Sequence, residues 1–318
     1  MAFIRTNDVQ LGLKLETTEG TKIALTSADF IPVANPKFTP DIKFNELNKL
    51  TGSLSKSPGR PGMRSAKISF DYYLRGAATA AFTAGVEIGP ALTACGFNEV
   101  LVAGTSATYA PATTVQANAK KSFTVEMQRG GKTYRIWGAR GTVKISCKDG
   151  EPILCSFEFT GADFEEVVVA KTAGVTFSTV AEPIFFKDAG AMALTLGGTA
   201  LVATALNIDM GNTVTLRQSI SSASGNISAM ITHRKPTISL DPEEVDDTTV
   251  LTAWKAGTTM ALVAGPVGST VGNKITITAP AVQYTGMSQS DRGGIATLSV
   301  NALCCLSAGD DEISIAFT

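Results

Sequence analysis

Along most of this chain, apolar and polar residues alternate with a period of two. Ile68, Phe70, Tyr72 and Leu74 share one side of a run whose other side is Lys67, Ser69, Asp71 and Tyr73. Phe123, Val125 and Met127 repeat the pattern. Val143, Ile145 and Cys147 alternate with Thr142, Lys144, Ser146 and Lys148, and Ile153, Cys155, Phe157 and Phe159 with Leu154, Ser156, Glu158 and Thr160. The second half continues with Ile275 and Ile277, with Ala296, Leu298, Val300 and Ala302, and with Ile313, Ile315 and Phe317. Successive side chains of a strand point to opposite faces, so the pattern predicts antiparallel strands with one face on a core. Turns at Asp149-Gly150 and Gly293-Gly294 close long hairpins over residues 141–161 and 274–303.

Helices are few. Asp241 is placed to cap a helix with Pro242 in its first turn and Glu243 and Glu244 at its positive end, running to about Lys255 and stopping at Gly257. The first-half counterpart is expected over 77–84, followed by a short turn from Pro90 to Cys95 ended by Gly96. Two polar segments resist a regular assignment: 35–65, with prolines or glycines at 36, 40, 58, 59, 61 and 62 among others, and the Ser-rich 216–234. Loops of such length tend to make contacts. The run 189–208 is uncharged but diluted by Gly190, Gly197, Gly198 and several Thr, which reads as paired strands rather than a spanning helix.

The order of these elements occurs twice. Lys67-Ile68-Ser69-Phe70-Asp71 leads to a helix and then a long hairpin, as does Thr237-Ile238-Ser239-Leu240-Asp241. The expected division is 1–172 and 173–318, with the boundary inside 170–186 once the first unit's last strand has ended at Gly161. Repeated units place similar bonding surfaces at regular positions, which favours assembly.

Composition sharpens this. Apolar residues make up 44% and charged residues 17%, and the net charge is −1, so there is little repulsion to keep copies apart and no basic excess for tight phosphate binding. The five cysteines form no CxxC and read as small apolar residues of a reducing compartment; Cys304 and Cys305 point to opposite faces of a strand. The N-terminus has no apolar signal segment. Candidate chemistry dissolves on inspection. Gly130-Gly131-Lys132-Thr133 has the ending of a phosphate loop, but Glu126 stands where its first glycine belongs, so a hairpin turn is expected. His233 is the sole histidine and lacks partners for a triad or a metal. The acidic runs at 243–247 and 310–312 read as a helix start and a turn. Trp137 beside Gly138-Ala139-Arg140-Gly141 is expected to pack on the core at a strand start. No catalytic residue, metal or cofactor is expected.

The ordered set of local signatures has a likeness. Phe70-Asp71-Tyr72-Tyr73-Leu74-Arg75-Gly76, the turn over 90–96, Tyr109-Ala110-Pro111, Gly138-Ala139-Arg140-Gly141 and Phe157-Glu158-Phe159-Thr160-Gly161 together resemble the tail tube (major tail) proteins of long-tailed bacteriophages. Glu19-Gly20-Thr21, Gly272-Asn273, Asp291-Arg292-Gly293 and Asp310-Asp311-Glu312 extend the likeness over nearly the whole chain. The resemblance implies a mainly β fold of two tandem antiparallel β-sandwich or barrel domains, each with a short flanking helix. It implies a non-enzymatic virion protein, made in the host cytoplasm, that stacks as rings into the tail tube through which DNA passes. The implied partners are further copies of the chain (three per ring with pseudo-sixfold symmetry, or six), the tape measure protein and DNA in the lumen, and tail terminator and baseplate proteins, with no membrane. Contacts between rings are expected from the 35–65 segment, through Phe44, Asn45, Leu47, Lys49, Leu50, Lys56 and Arg60. The competing readings are another tail component (terminator, baseplate or decoration protein) and a β-sandwich carbohydrate-binding module or hydrolase.

Overall fold

The computed structural model describes residues 4–77, 81–113, 122–177, 182–186, 194–245 and 248–318. Its frame is one layer of antiparallel strands. In spatial order these are β3 (Ala34–Asn45), β4 (Arg60–Tyr73), β9 (Leu154–Gly161), β8 (Lys132–Lys148), β13 (Ala203–Asp209), β16 (Thr237–Pro242), β19 (Ile295–Cys304) and β18 (Ile275–Arg292). The register keeps like with like across the layer. Ile68 lies opposite Phe159, Ile145 opposite Ile208, and Ile238 opposite both Ile208 and Ala302, all of them buried. Between them Ser69 lies opposite Glu158, Asp209 opposite Lys144, and Ser239 opposite Asn207 and Asn301, on the other face. A slip of one residue would exchange the two faces, so burial fixes the register.

Two smaller sheets complete the core. One is β2 (Phe30–Ile31), β1 (Val9–Leu15), β7 (Phe123–Arg129), the first part of β8 and β10 (Asp163–Val168). Tyr134 and Phe164 from it meet Phe38 of β3 with ring centroids 5.0 and 5.8 Å apart. The other is β12 (Thr199–Ala200), β11 (Leu194–Leu196), β17 (Met260–Val267), the first part of β18, β20 (Ser314–Phe317), β6 (Ser106–Pro111) and β5 (Phe97–Val102). The two long strands β8 and β18 therefore serve two layers each. The first part of β8 runs between β7 and β10 and its last part between β9 and β13. The first part of β18 runs between β17 and β20, and its last part lies against β19.

The halves share one hydrophobic core and are interlocked. β20 pairs with β6 of the first half, and Tyr109 meets Phe317 edge-on at 5.9 Å. A further hairpin, β14 (Thr213–Gln218) and β15 (Asn226–His233), packs on the base of the β3–β4 hairpin. There Arg64 N–H donates to the Ser224 carbonyl at 3.0 Å and Asn226 Nδ2 to the Arg64 carbonyl at 3.0 Å.

Several expectations change. The segments 35–65 and 216–234 are hairpins: the first forms β3 and most of the arm of β4 around an irregular tip at 46–59, the second β14 and β15. Prolines hid the first, because an edge strand tolerates them. Asp241 and Pro242 end β16 instead of opening a helix. The Asp241 carboxylate accepts from the Thr204 and Ala205 N–H groups at 2.9 and 2.7 Å, a strand-to-strand use that outweighs its capping propensity. The helix, α2, begins at Thr249 and ends at Ala256, stopped as expected by Gly257 in the left-handed region. Pro90 lies in helix α1 (Gly89–Ala94), whereas Ala77 and 81–84 are not helical and 78–80 lie outside the described residues. The first unit does not stop at Gly161, since β10 follows. β7 is buried on both faces, and Ala296 is exposed because the tips of β18 and β19 run past the core. Trp137 is half-buried in mid-strand, with Lys22 Nζ 5.4 Å from its ring centre, because β8 turns its corner at Gly138 (φ 61°) without ending.

Cys95, Cys147, Cys155 and Cys304 are buried and Cys305 half-buried. Burial pushes the Cys147 and Cys304 thiols up to about 12 and the Cys95 and Cys155 thiols up as well. A thiol-reactive dye is therefore expected to label at most Cys305 rapidly in the native chain and all five in denaturant. Gly20 (φ 72°) lies against the Ile227 carbonyl, which a Cβ would overlap, while Gly104 (φ 73°) has open space around it. Gly104→Ala is expected to cost about 1 kcal/mol from backbone conformation alone, and Gly20→Ala roughly 2–4 kcal/mol, read from denaturant melts.

Candidate assembly surfaces

The open face of the eight-stranded layer is polar and concave. A depression of ≈ 590 Å³ lies on it, walled by Lys144, Ser146, Asn207, Asp209, Ser239 and Asn301 among others. Two of its lysines are paired, Lys67 Nζ with Glu158 at 2.7 Å and Lys144 Nζ with Asp209 at 2.9 Å. Ser156 donates to Asp71 at 2.6 Å and Ser146 to Asn207 Oδ1 at 2.8 Å. Exposed pairs of this kind add little stability, but they leave the face close to neutral.

The layer ends in two unpaired edges. Among the described residues β3 has a strand only on its β4 side, and beyond Val282 β18 has one only on its β19 side. Such edges are a liability unless something covers them.

The β3–β4 arm projects from one edge. Phe44 and Asn45 end β3, opposite Pro61 and Arg60. Phe44, Asn45, Lys49, Leu50, Lys56 and Arg60 are exposed and Leu47 is half-buried; Lys56 pairs with Glu46 at 3.0 Å. Ile42 and Leu54 add further exposed apolar surface. Phe44, Leu50 and Leu54 on one arm form more apolar surface than solvated loop tips need.

The signatures that single out this sequence turn out to be clasps between its parts. Glu19 accepts from Arg217 at 2.7 Å and Ser228 at 2.5 Å, tying the N-terminal segment to the β14–β15 hairpin. Gly76 N–H donates to Asn273 Oδ1 at 2.7 Å, and no side chain fits there because the Gly272 carbonyl is against it. Arg75 and Tyr72 hold Glu87 at 2.6 and 2.8 Å. Asp310 accepts from the Thr113 N–H and from Arg234, while Asp311 caps the turn at Ser307, Ala308 and Gly309. Backbone N–H groups, that of Ser307 foremost and those of Ala308 and Gly309 after it, hold the Asp311 carboxyl low. Glu243 pairs with Arg292 at 2.7 Å, so it serves the sheet rather than a helix start. Asp246 and Asp247 lie outside the described residues.

One carboxylate was missed. Glu16 is 2% exposed, and burial pushes its carboxyl up against the opposing hydrogen bonds from Ser122, Gly138, Thr124 and Gly20. It pins the N-terminal segment to the corner of β8. Nothing in its local sequence, Leu15-Glu16-Thr17, marks it. A cavity of ≈ 650 Å³ nearby is lined by Arg140, Arg217, His233 and Arg234. Arg217 and Arg234 are committed to Glu19 and Glu312 at 2.7 and 2.8 Å, and Arg140, 7% exposed, faces Glu19 and Glu16. Among the described residues no group of three or more His, Cys, Asp or Glu is placed to hold a metal ion, and no helix is long and apolar enough to cross a membrane.

No curated protein matches the chain. The family model described as phage tail tube protein matches residues 6–302. A polar concave sheet, two free edges, an apolar arm and motif residues spent on internal clasps are the features of a subunit, and the chain belongs to the phage tail tube protein family, as a mainly β structural component of the virion.

Proposed function

We propose that this chain polymerises as stacked rings into the tube of a phage tail, with residues 1–172 and 173–318 as two tube domains and three chains per pseudo-sixfold ring. The observation that carries the reading is the strand order β3-β4-β9-β8 followed by β13-β16-β19-β18, two matching four-stranded halves already joined edge to edge. Three such chains supply about twenty-four strands, and at ~4.8 Å per strand the barrel is ~37 Å across before strand tilt widens it.

The concave face lines the lumen in this reading. Its paired charges suit a conduit for DNA, because a row of free cations would hold phosphates by counterion release. The tape measure protein occupies the same lumen before DNA does, and terminator and baseplate proteins cap the ends. The β3–β4 arm, with Phe44, Leu50 and Leu54 exposed, reaches the neighbouring ring. The tip of the β14–β15 hairpin, 219–225, is shorter than that of the β3–β4 hairpin, 46–59, so ring-to-ring contacts alternate around the ring.

Deleting residues 43–59 is the test. Ile42 and Arg64 are already paired, so Arg60-Pro61-Gly62-Met63 remains to close the hairpin with turn-forming residues. Electron microscopy of the variant is expected to show rings without tubes, while the unmodified chain forms tubes. Tubes of normal length from the variant would remove the arm from stacking, and an unmodified chain that stays monomeric at high concentration would contradict the function.

A further inference from the structure

Resting on the tube reading, we infer which edges join neighbouring copies and in what register: β3 of one chain completes the open side of β18 in the next. The chain carries its own template for this joint. The last part of β8 holds β9 on one side and β13 on the other, whereas the last part of β18 holds β19 and nothing further among the described residues. β13 lies on β16 as β3 lies on β4: Asn207 is opposite Ser239 as Lys37 is opposite Ser69, and both pairings shift register near the same point. One slot lacks a strand and one strand lacks a slot, at opposite ends of one sheet. A second copy supplies each, and a head-to-tail contact of this kind closes into a ring.

Transposing the internal joint gives the register. Within the chain, Asn207 pairs with Ser146 and Asp209 with Lys144. The same places are held by Lys37 and Thr39 on β3 and, from their positions opposite β19, by Ser290 and Ser288 on β18. Lys37 therefore faces Ser290 of the next copy, and Phe38 faces Gln289.

The backbone of β3 suits a selective joint. Met210 N–H donates to the Val143 carbonyl at 3.1 Å, so positions 206, 208 and 210 direct their backbone groups at β8. Their counterparts on the open edge are Pro36, Phe38 and Pro40. Two of these three cannot donate, and the Pro36 carbonyl already accepts from Arg129 at 3.2 Å. Phe38 supplies the one outward N–H, with its ring held between Tyr134 and Phe164. Prolines blunt an edge against indiscriminate pairing, so this edge engages only a partner in register.

Lys37 and Ser290 form the closer, non-hydrogen-bonded kind of pair, with Cα atoms about 4.5 Å apart, inside disulfide range. Within one chain they stand at opposite ends of eight strands, about 34 Å apart, so any bond between them joins two chains. On mild oxidation of assembled K37C/S290C, most of the chain is expected to run as covalent multimers ending at a closed ring and to revert to monomer on reduction. The unmodified chain and K37C/Q289C, whose second cysteine points to the other face, are expected to run as monomer. Hydrogen exchange on the unmodified chain gives a second reading: the Phe38 and Gln289 amides should slow at least tenfold on assembly. Tubes in which K37C/S290C stays unlinked, or links no better than K37C/Q289C, or in which those amides exchange unchanged, would overturn the joint while leaving the tube reading intact. Absence of rings and tubes from the unmodified chain would overturn the tube reading itself.

Discussion

The edge of a β-sheet is a row of unpaired backbone donors and acceptors, and the pairing of β8 with β13 is how this chain disposes of two such edges at once. Ala205 to Asp209 bond along Lys144 to Lys148, with Ile208 on Ile145 beneath and the Lys144–Asp209 ion pair above. The joint turns two four-stranded units into one layer whose apolar side is continuous and whose other side is continuously polar. It also moves the problem to the ends. Among the described residues the outer side of β3 and the last part of β18 remain open, and the same backbone chemistry that joins the halves is available to join copies. In the proposed joint, assembly is an extension of folding.

Two long strands carry that layer into a third dimension. A strand of 17 residues such as β8 is too long for one sheet of a domain this size, and it serves two by turning at Gly138. The corner is crowded: a Cβ on Gly138 would stand 2.9 Å from that of Ala162 and 3.1 Å from the Ile227 carbonyl, and Glu16 accepts the Gly138 N–H at 2.8 Å. The N-terminal segment, the corner of the first half and the β14–β15 hairpin of the second meet there. Close packing of glycine corners and carboxylate clasps makes the halves one body with one core.

Much of this was written in the alternation. The core faces of β4, β8, β9 and β20 and the two long hairpins follow from period-two patterning, because those strands each have one wet face. The reading failed where a second physical effect outweighed local preference. The arm looked like a loop since Pro36, Pro40 and Pro61 are strand breakers everywhere except at an edge. Asp241-Pro242 looked like a helix start, yet the carboxylate is taken by backbone donors of β13, a partner that lies 36 residues away in the chain. The polar open face was visible as the set Lys67, Ser69, Asp71, Lys144 and Ser146, but nothing local could show that β13 lies beside β8 and makes the set continuous. Glu16 had no signature at all, since its partners Ser122, Thr124 and Gly138 are brought to it only by the fold.

The central claim is that one chain contributes two quasi-equivalent sixths of a ring, and the most direct measurement is the true rotational symmetry of an assembled tube seen end-on by electron cryomicroscopy. The account predicts strict threefold symmetry, with long and short arms alternating around an inner wall of about twenty-four strands. A strict sixfold ring, with six complete chains and only one half of each in the inner wall, would contradict it.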